Sequence, residues 1–231
     1  MGKKGFIITL DGPSGTGKST AARALARELG FLYLDTGAMY RAVALKALRS
    51  GVGLEDAASL ARVARRARMV FRRGAAGRVQ VILDGSDVTR PIRRPEISEA
   101  ASRVAVVPGV RQALVRQQRR IGRAGGIVAE GRDTGTVVFP RAPLKFFVTA
   151  SLNERARRRC EELKSGGHRV SLAQVKREVR LRDRRDRSRK VAPLKQAPDA
   201  IRVDNTRLQS DQVLAILMAH VQRAKTHVSR N

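Results

Sequence analysis

Gly12-Pro13-Ser14-Gly15-Thr16-Gly17-Lys18-Ser19 follows directly on the apolar run Phe6-Ile7-Ile8-Thr9-Leu10. The pattern G-x-x-x-x-G-K-[ST] placed between a strand and a helix predicts a phosphate-binding loop, or P-loop. Glycines at positions 12, 15 and 17 let the backbone turn its N–H groups inward around phosphate oxygens, where side chains would block the approach. Lys18 supplies a cation for the β and γ phosphates, and Ser19 offers a hydroxyl to Mg²⁺. The helix expected from about Gly17 to Leu29 points its positive end at the anion. The stretch therefore predicts a nucleoside triphosphate site near the start of the chain.

A chain of 231 residues, 42% of them hydrophobic, can bury a sizeable core and fits one domain with a small inserted part. Its single cysteine, Cys160, cannot form an internal disulfide, which agrees with a cytoplasmic setting. No apolar run reaches membrane-spanning length. Met1-Gly2-Lys3-Lys4 reads as neither a secretory signal, since Asp11 cuts short the apolar stretch behind it, nor a myristoylation site, since Phe6 stands where Ser or Thr is wanted. The formal net charge is +28, from 48 basic residues of which 38 are arginine. Such a field attracts polyanions and small anions alike, so non-specific nucleic-acid binding is one reading of it. Aromatic residues make up only 3%, which argues against a base-stacking platform.

Short β-type runs at 6–10, 31–34, 127–129, 145–149 and 200–203 alternate with helical patterns, which predicts an α/β three-layer domain around a five-stranded parallel sheet. Apolar spacing marks helices at Ala21, Leu25 and Leu29, at Tyr40, Val43, Ala44, Ala47 and Leu48, and at Val213, Leu214, Leu217 and Val221. One segment breaks the alternation. Arg68–Arg73, the turn Gly74-Ala75-Ala76-Gly77, then Arg78–Leu83 with Asp84-Gly85, read as small antiparallel strands inserted at about residues 67–95. The core is then 1–66 with 96–231. Ser165-Gly166-Gly167-His168 breaks the chain ahead of a very basic helix, Leu172 to about Arg189.

Four further clusters bear on a second substrate. Asp35-Thr36-Gly37-Ala38-Met39-Tyr40-Arg41 sits at a strand end and opens a helix, where open α/β sheets bind ligands; its other reading is an N-cap followed by a core tyrosine. Glu130 ends a strand as a Mg²⁺-orienting acid would, and Arg132 with Asp133 can clamp a phosphate and accept from an amine, or simply pair with each other. Arg182, Arg185, Asp186 and Arg189 fall on one helix face, as a phosphate clamp or as a solvated stripe. Asn153-Glu154-Arg155-Ala156-Arg157-Arg158-Arg159 can form a lid helix over ATP phosphates or a charged surface helix.

Taken in order, Asp11–Ser19, Asp35–Arg41, Glu130-Gly131-Arg132-Asp133-Thr134-Gly135-Thr136-Val137-Val138-Phe139-Pro140 and Arg182-Asp183-x-x-Asp186-x-x-Arg189 with Val191-Ala192-Pro193-Leu194 behind it resemble the bacterial cytidylate kinases of the nucleoside monophosphate kinase group. The resemblance covers nearly the whole chain. It implies a P-loop kinase fold with an inserted substrate-side β subdomain and a helical lid at about 152–190. It implies an ATP site at Gly12, Pro13, Ser14, Gly15, Thr16, Gly17, Lys18, Ser19 and Thr20 with Arg155 and Arg158, and Mg²⁺ held by Ser19, partly through water. It carries CMP binding onto Thr36, Tyr40, Arg41, Ser102, Arg111, Arg132, Asp133, Arg182, Asp186 and Arg189, with Lys18, Arg132, Arg182 and Arg189 as catalytic groups. Ser102 and Asp133 suit the cytosine, Asp186 a sugar hydroxyl, and Asp204-Asn205-Thr206 resembles the loop near the adenine. Thr36 departs from the serine of many relatives but keeps the hydroxyl. The arginine excess, Arg184 and Arg187 included, is a second departure.

The reaction so implied is phosphoryl transfer from Mg·ATP to CMP or dCMP, by a monomer. A kinase acting on UMP, dTMP or another small acceptor is the nearest alternative, and a nucleic-acid-binding P-loop protein with an incidental ATPase is the alternative from another class.

Overall fold

The computed structural model describes residues 6–73 and 79–228. The Gly74-Ala75-Ala76-Gly77 turn and the Met1–Lys4 terminus read from the sequence lie outside the described residues. The described residues fall into two compact units, one made of the chain up to Leu32 and from Gly125 onward, the other of Tyr33–Ala124.

The first unit is built on β1 (Ile7–Asp11), α1 (Lys18–Leu29), β6 (Ile127–Gly131), β7 (Leu144–Thr149), α6 (Leu152–Ser165), α7 (Leu172–Ser188), β8 (Ile201–Asp204) and α8 (Ser210–Val228). β2 (Leu32–Asp35) completes a five-stranded parallel sheet in the order β2–β6–β1–β7–β8. β1 is central, with Ile8 opposite Val128 on one side and Leu144 on the other. Its apolar run is continuous because both sheet faces are covered, and Ile8 and Leu10 are fully buried. β6 runs two residues further than the sequence suggested, which takes Glu130 into the sheet. Ser151 and Ser171 cap α6 and α7 by accepting from Glu154 and Gln174 amides. These two helices pack through Cys160, Leu163, Val175 and Val179. Between β6 and β7, Thr134–Val138 form a short π-helical turn.

The second unit contains α2 (Thr36–Arg49), α3 (Ala57–Arg66), α4 (Pro95–Val104) and α5 (Pro108–Gly122), and the antiparallel sheet β3 (Met69–Arg73), β4 (Val79–Leu83) and β5 (Ser86–Asp87). Proline stands at the start of α4 and α5, where the missing N–H costs the helix nothing. The Asp84-Gly85 turn joins β4 to β5 with φ of 50° and 88°, the double positive φ of a type I′ hairpin. Lys46 on α2 pairs with Asp84 at 2.7 Å and so ties the sheet to the helices. Among the described residues no helix is long and apolar enough to cross a membrane.

Candidate active site

In the first unit the P-loop leaves the end of β1 and enters α1. Its glycines are required by close packing: a Cβ on Gly12 would stand 2.1 Å from the Val148 carbonyl oxygen, and one on Gly15 2.9 Å from that of Arg155. Lys18 is buried, and its Nζ donates to the Pro13 carbonyl at 2.9 Å across the loop. Burial, then the charges of Arg132 and Arg182, push its ammonium down to about 7 against the opposing pull of Glu130 and Asp186. Ser19 donates to Glu130 at 2.8 Å, so the helix-opening hydroxyl and the strand-end acid meet.

The remaining unit-one residues form a chain of charge. Arg132 donates through Nε to Asp186 at 2.8 Å rather than pairing with its neighbour Asp133. Asp133 instead faces Arg189 at 3.6 Å, and Arg189 also approaches Asp186 at 3.9 Å. Burial pushes the Asp186 carboxyl up, but Arg132, Arg182 and Arg189 outweigh it and hold the group below the usual carboxylate range. Arg189 ends α7 as its C-cap in extended conformation, with Nε donating to the Ala192 carbonyl, so the expected helical stripe bends at its last member. Arg182 and Arg185 stay half-buried on α7.

Arg155 is buried, not displayed. It pairs with Asp183 at 2.7 Å and donates to the carbonyls of Ala150 at 3.0 Å and Ser14 at 3.2 Å, which joins the P-loop to α6 and α7. Arg158 pairs with Glu154 at 2.7 Å and donates to the Asn205 carbonyl at 2.9 Å. Asn205 in turn donates to the Thr16 carbonyl. Asp11, quoted in the sequence without a role, accepts from the Thr134 amide and hydroxyl and from the Gly135 amide. Burial raises its carboxyl to about 6 even though these bonds pull the other way. Asp11 thus fixes the π-helical turn that follows Arg132 and Asp133.

In the second unit, Asp35 caps α2 by accepting from the Ala38 amide at 2.7 Å and pairs with Arg41 at 2.8 Å. Burial pushes its carboxyl up, but Arg41, the Ala38 amide and Arg93 hold it below the usual range. Thr36 and Tyr40 are buried on the first turns of the same helix. The Arg111 guanidinium lies 5.4 Å from the centre of the Tyr40 ring, a cation–π distance, and donates to the Ala105 carbonyl at 3.1 Å. Ser102 on α4 has a buried hydroxyl with no hydrogen-bond partner. Thr36, Tyr40 and Arg41 therefore share the first turns of α2, and Arg111 reaches them over the Tyr40 ring.

A model of the cytidylate kinase family matches residues 8–223. The chain belongs to the cytidylate kinase family. A cytidylate kinase from Symbiobacterium thermophilum is 47% identical over 222 residues, 96% of this chain and 98% of that protein. A cytidylate kinase from Pelotomaculum thermopropionicum is 51% identical over 214 residues, 93% of this chain and 95% of its own. In fold alone, the chain is similar to a gluconokinase from Sinorhizobium meliloti, with a TM-score of 0.50 at 13% identity, over 98% of this chain and 97% of that one.

The cytidylate kinase donor set also suits Mg²⁺. Ser19 and Glu130 present hard oxygen atoms beside a lysine, and among the described residues no group of three or more His, Cys, Asp or Glu could hold an ion unaided. That combination fits a cation that keeps its waters and arrives with substrate phosphates. Sequence reasoning singled out neither Asp183 nor the bracing roles of Asn205 and Asp11. All three fall within stretches that carry the family resemblance, Asp11 and Asp183 in its motifs and Asn205 in the loop set near the adenine, but nothing in those stretches gave the bonds they make.

Proposed function

We infer that this enzyme transfers the γ-phosphoryl group of ATP to the 5′-phosphate of CMP or dCMP, giving ADP and CDP or dCDP. Beyond the family itself, one observation carries the reading. Lys18 at the P-loop lies within electrostatic reach of Arg132, Arg182 and Asp186, so the cradle for the donor phosphates and the cations for an acceptor phosphate occupy one locality of the first unit.

The chemistry asks for no general base, because the attacking phosphate oxygen is already ionised near neutral pH. The obstacle is the approach of two polyanions, and the protein answers it by positioning and charge. The P-loop amides and Lys18 hold the β and γ oxygens. Ser19, with Glu130 behind it, would hold Mg²⁺, partly through water, and the ion would supply positive charge against the substrate phosphates. Arg132, Arg182 and Arg189 grip acceptor and transferred phosphoryl, kept in place by Asp186 and Asp133. We assign Thr36, Tyr40, Arg41, Ser102 and Arg111 to CMP as well, with Ser102, whose hydroxyl is unpartnered, and Asp133 assigned to the base. The small antiparallel sheet is assigned to the substrate side, and the α6–α7 hairpin to a lid whose closure excludes water. Arg155 and Arg158 act in this assignment through the P-loop: their bonds to Ser14 and Asn205 set the loop that touches ATP. We take the enzyme to work as a monomer in the cytoplasm, the compartment its free, buried Cys160 suits.

Release of ADP with Mg·ATP against CMP, dCMP, UMP, dTMP, AMP and GMP at fixed ionic strength tests the base assignment. Stimulation by CMP and dCMP is expected. Strong stimulation by UMP or dTMP instead would overturn the roles of Ser102 and Asp133 while leaving phosphoryl transfer intact.

A further inference from the structure

Within the second unit, α3 and α5 lie side by side and run in the same sense. Gly109 at the start of α5 lies against Ala61, where a Cβ would come within 2.6 Å of the alanine methyl. Further along, Gln117 donates to the carbonyls of Ala64 at 3.3 Å and Ala67 at 3.2 Å, at the end of α3. The two C-terminal ends are therefore neighbours, and they carry Arg62, Arg65 and Arg66 on one helix and Arg116, Arg120 and Arg123 at the other, all exposed.

Arg62 donates to Ser59 at 2.7 Å and is attracted to the N-cap Asp56, but neither helix itself contains an acid to match the others. No Asp or Glu occurs between Asp56 and Asp84, nor between Glu99 and Glu130. Arg62 with Arg66 and Arg116 with Arg120 stand at i,i+4, a spacing at which like charges weaken a helix. Basic residues near a helix C-terminus do gain from its dipole, but that effect is confined to the last turn and does not extend to Arg62 or Arg116. α6 shows the ordinary alternative, since Arg157, Arg158 and Arg159 there each pair with a glutamate of the same helix.

We propose that the paired ends of α3 and α5 bind the phosphate backbone of single-stranded RNA. Arginine presents a planar fork that takes phosphate oxygens two at a time. No large apolar side chain is exposed on either helix, as insertion into a lipid surface would require. With their inner faces packed together, the two helices offer a ridge and not a single helix free to enter a DNA groove, and a flexible strand can fold around a ridge that a rigid duplex meets at one point. The contact is with phosphates, so it tolerates any sequence and weakens steeply with salt.

The test is fluorescence anisotropy of a labelled mixed-sequence RNA, titrated with the whole protein over a series of salt concentrations. Two variants are compared: Arg62→Gln with Arg65→Gln, Arg116→Gln and Arg120→Gln, and a control with the same loss of charge elsewhere, Arg27→Gln with Arg141→Gln, Arg207→Gln and Arg223→Gln. The first is expected to flatten the slope of log K against log salt by about 3, roughly 0.7 per lost phosphate contact, with CMP-dependent ADP release unchanged. The control is expected to keep the slope. Equal losses in both variants, absence of RNA binding by the parent protein at low salt, or tighter binding of duplex DNA or of anionic lipid vesicles would each overturn the proposal.

Discussion

The buried arginines of the first unit and the exposed arginines of α3 and α5 obey opposite rules. Arg132, Arg155 and Arg189 lie against Asp186, Asp183 and Asp133, whereas the α3–α5 arginines stand in stretches without a single acid. A charge taken out of water costs several kcal/mol unless a partner comes with it, so each of these three lies against a carboxylate, while the buried Arg111 of the second unit rests on the Ala105 carbonyl and the Tyr40 ring. A charge left in water needs no partner and contributes little to the fold. Pairing is thus optional at the surface, as the exposed but paired Arg157 of α6 shows, and where no acid is at hand a surface cation stays available to an external anion.

The comparison breaks most visibly at Lys18, the buried cation whose intended partner is the substrate itself. Lys18→Ala is expected to lower kcat by about 10³-fold or more, measured as CMP-dependent ADP release; a loss under tenfold would remove Lys18 from the chemistry. Next in size is Asp183→Ala, which strands Arg155 in the interior and is expected to cost about 3 kcal/mol of stability by urea unfolding, against a change too small to resolve if the pair is dispensable.

Proton uptake sharpens the same point. With its ammonium lowered to about 7, Lys18 is mostly neutral at pH 8 in the free enzyme. The charge of bound ATP favours the protonated form and raises that value again, so binding at pH 8 should take up most of a proton. Calorimetry in buffers of different ionisation enthalpy measures it, and Lys18→Met should abolish it. The smallest effect belongs to the surface. Arg116→Glu replaces a repulsive i,i+4 pair with an attractive one to Arg120 and should stabilise by about 0.3 kcal/mol, where an acid-for-arginine exchange in the interior would unfold the unit.

What could be read from the chain alone follows the same division. The P-loop is a local pattern of glycines, and the five strands are local runs of apolar residues, so fold and reaction were both legible. Glu130 was legible as an acid closing a strand. Partner choice was not: Arg132 stands next to Asp133 yet pairs with Asp186, 54 residues away, and nothing in the spacing decides between two carboxylates. Arg155 read as a lid residue facing ATP because its neighbours are charged, but it turns inward to Asp183 and the Ser14 carbonyl. The helix Ala57–Arg66 is missing from the sequence reading although Leu60, Ala61 and Ala64 give it a clear buried face. Thr134–Val138 has no shape assigned from its residues, and its π turn is held by three bonds to the distant Asp11.

The central place of β1 has a consequence for how the protein is made. Its sheet neighbours are β6 and β7, and Ile7 has to wait for Ile127. At about 5–20 residues per second, the ribosome leaves this strand unpaired for roughly 6–25 s while the chain between is synthesised. The central strand of the catalytic unit thus emerges well before either of its sheet neighbours, which makes the nascent enzyme a natural client for a chaperone at the ribosome exit.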